Sequence, residues 1–260
     1  ADSPQTGYHN STGGVALGID ACFAGCLTAG FLGGYSGSDI DWNQNRAHGD
    51  IYSGYAGMYL SAITDYYYVN ASVLGGWTHY YAKRNIKYPG VYQSASSDKG
   101  GAQISSQFNL GVNLTFLGIQ VRPYNSFNYI SQIENGFTEY GAGAYDLRVK
   151  KNNSIIVRNE LGLQLASCLC FGGSSWSIAP QLSWVREVRI KGKDYKARFN
   201  DTQKTFILTG YFPDRNLVSP GFFLSKMFWQ NRVSLDLYYK GEFGSKYTNN
   251  SFGAELRLGF

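Results

Sequence analysis

No stretch of the 260 residues approaches the 18 or so consecutive apolar side chains of a membrane-crossing helix. Helical membrane spans are therefore excluded. Charge is scarce as well: Asp, Glu, Lys and Arg make up 16% of the chain, against about 25% in an average soluble domain. There are only 6 prolines, 4 cysteines and 3 histidines, and no run of ten or more residues has the period of an amphipathic helix. The opening ADSPQTGYHNSTGG has no charged segment followed by an apolar one, so it does not read as a signal peptide. Such a signal has been removed, or the chain is one domain of something longer. The net charge of +5 is scattered, and its two clusters, RVKK at 148–151 and VRIKGKDYKAR at 188–198, read as solvated hairpin ends and not as a nucleic-acid surface.

What is abundant is glycine, tyrosine and phenylalanine, at 32, 21 and 16 residues. Aromatics favour strands, and alternation recurs along the chain. Val15, Leu17, Ile19 and Ala21 share one face, with Ala16, Gly18 and Asp20 on the other. Phe108, Leu110, Val112 and Leu114 alternate with Gln107, Asn109 and Asn113, and Leu161, Leu163 and Leu165 with Glu160, Gly162 and Gln164. The same two-faced pattern marks 119–129, 155–165, 176–184 and 233–240, and less clean strands are expected at 27–35, 50–60, 67–83 and 222–229. With the closing segment this gives eleven strands and an all-β chain. A mean hydropathy of −0.26 is compatible with an antiparallel up-and-down transmembrane β-barrel, in which only alternate residues meet lipid.

The connections alternate between long polar loops and tight turns, the expected sorting for the two ends of such a barrel. Long loops are expected at SDIDWNQNRAH, 84–100, TEYGAGAYDLRVKKNN, about 190–216 and GSKYTN, and short turns at FAG, SAITD, FLG, CLCFGGSS and QN. TFILTGYF at 205–212 competes as an extra strand but would invert every earlier turn. Residues 1–12 then form an external loop of a single domain, 1–260. Because single-chain bacterial barrels close with an even strand number, a first strand is expected upstream.

The terminus FGAELRLGF places Phe252, Ala254, Leu256, Leu258 and Phe260 on one face and Glu255 and Arg257 on the other. By the same parity Asp20, Arg122, Arg158, Glu160, Asp236, Lys240, Glu255 and Arg257 are expected to line the lumen, since a charge in lipid costs about 2–4 kcal/mol for Lys or Arg at mid-depth. Both signs are present, which fits either a hydrated path for a polypeptide or a self-satisfied, ion-paired plug. Trp77, Tyr80, Tyr81, Trp229 and Tyr247 are expected in the interfacial belts.

Little else points to chemistry. His9, His48 and His79 are too far apart to form a metal motif, and no nucleophile motif accompanies His79. No catalytic residue, metal or cofactor is expected. The glycine-rich GGYSG, GYAG and LGG lack any phosphate-loop context. Cys22 and Cys26 flank a tight turn and are candidates for a hairpin disulfide, whereas Cys168 and Cys170 are too close for one and are candidates for bonds to other molecules.

Taken in order, GGVALGIDA (13–21), LTAGFLGGYSGSDID (27–41), GYAGMYLS (54–61), VRPYNSFNYI (121–130), VRNELGLQL (157–165), LSWVRE (182–187) and the ending at 233–260 resemble the C-terminal translocator barrel of autotransporters, the type V secretion proteins. GYHNSTGG and the paired cysteines also resemble the barrel of chlamydial polymorphic membrane proteins. The resemblance implies twelve strands in the outer membrane of a Gram-negative cell, with long loops outside and short turns in the periplasm. It also implies a covalently linked upstream passenger displayed at the surface, and Leu256, Leu258 and Phe260 as a signal read by the β-barrel assembly machinery. A small porin is the alternative; an outer-membrane hydrolase and a soluble carbohydrate-binding sandwich rank lower.

Overall fold

The computed structural model of the chain describes residues 7–23, 25–171, 174–192, 194–209, 215–228 and 232–259. Its strands are β1 (Tyr8–Phe23), β2 (Leu27–Trp42), β3 (Ala47–Ile63), β4 (Tyr67–Tyr88), β5 (Val91–Val112), β6 (Leu114–Phe116), β7 (Ile119–Glu134), β8 (Phe137–Thr138), β9 (Leu147–Val149), β10 (Asn152–Phe171), β11 (Ser174–Lys191), β12 (Asp194–Phe199), β13 (Phe206–Thr209), β14 (Arg215–Phe228), β15 (Val233–Gly244) and β16 (Tyr247–Leu258). The main sheet runs β1-β2-β3-β4-β5-β7-β10-β11-β14-β15-β16, with β6 continuing β5 against β7. Neighbours on this path are antiparallel and follow one another in chain order, the intervening β8, β9, β12 and β13 belonging to a second sheet, so the eleven expected strands form one meander.

The register propagates a single pair of faces across it. Leu17, Gly33, Ala56, Gly75 and Ile104 are successive partners from β1 to β5, and Leu163, Leu182, Pro220 and then Leu224, Leu237, Ala254 continue that face. It is the apolar face throughout, and it is uncovered: Leu17, Val15 and Phe252 are 85%, 73% and 77% exposed. Among the described residues the largest fully buried side chains, Leu217 and Val185, sit with Ser219 on the opposite face. A soluble domain buries its apolar surface; this sheet presents it outward and turns its polar face inward, the arrangement that a lipid solvent selects.

The concave side is shown by contacts that skip strands. Strands lie about 4.8 Å apart, so β10 and β15, separated by β11 and β14, are roughly 14 Å apart along the sheet. Yet Lys240 Nζ donates to Glu160 at 2.7 Å. Tyr59 of β3 likewise donates to Asp20 of β1 across β2, and at the ends of the sheet Arg257 of β16 is within electrostatic reach of Asp20 of β1. The sheet therefore curls until its first and last strands face a common interior, while no β1–β16 pairing occurs among the described residues.

Several expected loops are strands. Residues 8–12, expected outside the barrel as loop, continue β1 in register from Tyr8 opposite Trp42 to Thr12 opposite Ser38. The loop expected at 84–100 is the end of the β4–β5 hairpin, closed at Pro89 and Gly90, where Gly90 supplies φ +85°. GSKYTN contains only a two-residue turn between β15 and β16. Strands β4 and β5 are 22 residues long, about twice the 9–11 needed to cross a bilayer, so backbone pairing outruns the membrane and absorbs what polarity alone read as loop. The lower-ranked strand at 205–212 is not in the meander: β13 belongs to a separate four-stranded sheet, β13-β12-β9-β8, at the loop end.

That end is an ordered cap. Arg84 donates to both oxygens of Glu139, at 3.1 and 2.6 Å, and to the Tyr145 carbonyl, while Glu139 also accepts from Leu147 N. Ser96 and Tyr140 form an isolated bridge between hairpin and loop. Burial, with the Glu134 carboxylate beside it, pushes the Tyr195 hydroxyl above its usual pKa.

The lumen as candidate functional site

Each polar residue expected inside is carried there by strand parity, and the register brings some of them together. Glu160 on β10 is 4% exposed. Its Oε1 accepts from Tyr124 Oη at 2.9 Å on β7, from Ser183 Oγ at 2.8 Å on β11 and from Lys240 Nζ at 2.9 Å on β15, and Oε2 accepts from Lys240 at 2.7 Å. A buried carboxylate needs this many donors to offset its desolvation. Toward the loop end, Arg158 donates to Glu242 and lies 3.5 Å from Glu187, its register partner, which in turn lies 3.6 Å from Arg215. The Arg215 guanidinium sits 4.3 Å above the Tyr247 ring.

The remaining expected residues sit toward the turn end. Asp20 accepts from Tyr59 Oη; Arg257 and Glu255 pair at 2.9 Å, both more than half exposed; Ser234 donates to Asp236 at 3.2 Å. Arg122 donates to Gln120 but its buried Nε has no partner. It lines a cavity of about 420 Å³ on the concave face with Asn109, Gln107, Glu160 and Lys240. Glu187, Glu242, Tyr124 and Ser183 complete these networks and were not singled out from the sequence. Parity was the available signal: Tyr124 and Glu242 lie two positions from Arg122 and Lys240, and Ser183 and Glu187 lie an odd number of positions from the outward Leu182.

Two belt residues face the other way. Tyr80 points inward, with Lys99 Nζ 4.7 Å over its ring, and Tyr247 is the inward ring under Arg215. Adjacent residues on a strand face opposite sides, so among the described members of that group Trp77 and Tyr81 are outward, joined by Tyr35 and Tyr52. Trp229 lies outside the described residues, as does Phe260. Lys226, at the turn end of β14, lies 4.5 Å over the outward Trp176 ring. His79 is outward, 3.2 Å from Asp98, while Thr78 is buried on the inner face against Ser53; the two cannot cooperate in catalysis. Cys22, Cys26 and Cys168 are free thiols, and the register sets Thr28, not Cys26, opposite Cys22, with Thr28 Oγ1 3.5 Å from its sulfur. The side chain of Cys170 lies outside the described set.

The model of the autotransporter beta-domain matches residues 1–240. This chain belongs to the autotransporter β-domain family. The β-domain is similar to an extracellular serine protease of Serratia marcescens, with 25% identity over 259 residues, 98% of this chain but 24% of the relative. It therefore spans about a quarter of that protein's length. Among solved structures it resembles the translocator domain of NalP from Neisseria meningitidis, with TM-score 0.78 and 16% identity over 97% of this chain and 82% of that one. The β-domain of a Bordetella autotransporter, Brka, superposes with TM-score 0.70 and 18% identity over 97% and 92%. These structures share the barrel fold, and the family places the β-domain in the Gram-negative outer membrane as a translocator of type V secretion.

Proposed function

We propose that this β-domain anchors and exports a passenger carried upstream on the same polypeptide, and that it performs no chemistry of its own. The observation that carries the reading is the apolar outward face around an ion-paired concave one, in a member of this family. The serine protease named among its relatives is similar to this chain over only a quarter of its length, so a catalytic function belongs to a passenger and not to the barrel. One further strand, pairing with β1 and β16, closes the sheet at twelve, since an open edge has unpaired N–H and C=O groups that lipid cannot satisfy. The loop sheet β13-β12-β9-β8 faces outward from the cell and the tight turns face the periplasm.

The lumen charges support transit. Glu160 and Lys240 neutralise each other, as do Arg158 and Arg215 with Glu187 and Glu242. A passing segment then meets a wall whose mid-lumen charges are already compensated. The partners are outer-membrane lipid against the apolar face, the assembly machinery at Leu256, Leu258 and Phe260, and the passenger; the domain is the whole of 1–260. Cys22 with Cys26 as a hairpin disulfide, and Cys168 and Cys170 as intermolecular ones, remain proposals for the oxidising periplasm. Non-reducing gels of native envelopes are expected to show a disulfide-linked species lost on reduction; envelopes with none contradict the intermolecular bonds.

The test of export is a reporter fused upstream of Ala1 in the full protein. Surface protease and antibody access to the reporter in intact cells is expected; a well-assembled barrel with the reporter held in the periplasm overturns the reading.

A further inference from the structure

Above the outward aromatic rings of Tyr35, Tyr52 and Trp77, the register sets Asp39 of β2 directly opposite Asp50 of β3. Like charges in that position repel. Extending the same row across the sheet gives Ser11, Asp39, Asp50, Tyr81 and Asp98, three carboxylates with no cation. The next row holds His9, Asp41, His48 and Lys83. His48 turns toward the carboxylate pair: its Nδ1 is 2.9 Å from Asp41 Oδ1, leaving Nε2 3.6 Å from Asp50 and 3.9 Å from Asp39.

We propose that His48 Nε2, Asp39 and Asp50 hold a divalent cation of the zinc class on the outer surface of the β2–β3 hairpin, with Asp41 as positioning residue. The three donor atoms lie within 4.8 Å of one another. Tetrahedral zinc with bonds of about 2.0–2.1 Å has ligand atoms about 3.4 Å apart, so His48 Nε2 has to approach each carboxylate by a few tenths of an ångström from 3.6 and 3.9 Å, and the two exposed carboxylates have to close from within 4.8 Å. An imidazole carboxylate-bonded at one nitrogen and facing the metal with the other is the arrangement that fixes a ligating histidine. The nitrogen donor favours zinc over calcium or magnesium, which take oxygen ligands. Three protein donors leave the fourth position to solvent. The ion neutralises the Asp39–Asp50 pair and links adjacent strands beyond the membrane. Sequence spacing hides the site because Asp39 and Asp50 become neighbours only through antiparallel register.

Isothermal titration of the full-length protein refolded in detergent tests this, with Zn²⁺, Ca²⁺ and Mg²⁺ as separate titrants and heat-modifiable migration as the folding control. One Zn²⁺ per chain is expected, with Ca²⁺ and Mg²⁺ at least tenfold weaker. Asp50→Asn and His48→Gln are expected to abolish that binding, Asp41→Asn to weaken it by about 10–100-fold, and His79→Ala to leave it unchanged. Asp50→Asn also removes the repulsion, so in chelator it should fold at least as well as the parent; zinc should raise the unfolding midpoint of the parent and not that of Asp50→Asn. No zinc binding by the folded parent, or binding that survives His48→Gln and Asp50→Asn, overturns the proposal, as does Ca²⁺ binding equal to zinc that persists in His48→Gln.

Discussion

At the scale of single residues the β-domain inverts the usual rules, and each inversion can be tested. Glu160 is buried against Lys240, Tyr124 and Ser183. Truncating one partner of a buried ion pair leaves the other uncompensated and costs about 3–5 kcal/mol, whereas replacing both is milder. Lys240→Met is therefore expected to lower the urea midpoint strongly in micelles, and the double variant Glu160→Gln/Lys240→Met to recover most of the loss. Outside, the order reverses. Leu256 is 65% exposed to what is lipid in the membrane, so Leu256→Glu should lower the heat-modifiable, assembled fraction by the equivalent of up to about 2 kcal/mol. Glu255→Leu, one residue away and facing Arg257, should leave assembly nearly intact. Equal yields from the two would reverse the assigned faces.

At the scale of strands, packing on the inner face is set by tyrosines lying over glycines across the pair. A Cβ on Gly253 would come within 2.0 Å of the Tyr238 ring, and one on Gly162 within 2.4 Å of Tyr124. Gly253→Val should therefore weaken the β15–β16 hairpin and slow assembly, and Tyr238→Ala in that background should restore much of it. Rates of conversion to the heat-resistant form measure both. The loop sheet behaves differently: β12 pairs with β13 on one side and β9 on the other, and neither β12 nor β13 pairs with the meander. Excising residues 194–209 is expected to leave barrel assembly unchanged while altering protease sensitivity at the cell surface.

The strands of the meander were legible because a period of two survives along each of them, and the faces of Asp20, Glu160 and Leu256 follow from parity alone. The ends were not. Polarity cannot separate a loop from a strand paired in water, which is why 84–100 and 8–12 read as loops though Arg84 and Asn10 sit on strands. Nor does composition report which of two adjacent aromatics faces lipid, as Tyr80 and Tyr81 show. Partnerships such as Arg158 with Glu242, 84 residues apart, depend on curvature and could not be read from spacing.

At the scale of the whole molecule, an inward polar face, an outward apolar one and family membership converge on a translocator whose passenger is carried by the same polypeptide. The direct measurement is the location of a reporter fused upstream of Ala1, scored by external protease in intact Gram-negative cells, in the parent and in a variant lacking Phe260. The account predicts a protease-accessible reporter in the parent and sharply reduced barrel insertion and display in the variant. A parent barrel that is folded in the outer membrane yet leaves its reporter protected would contradict it.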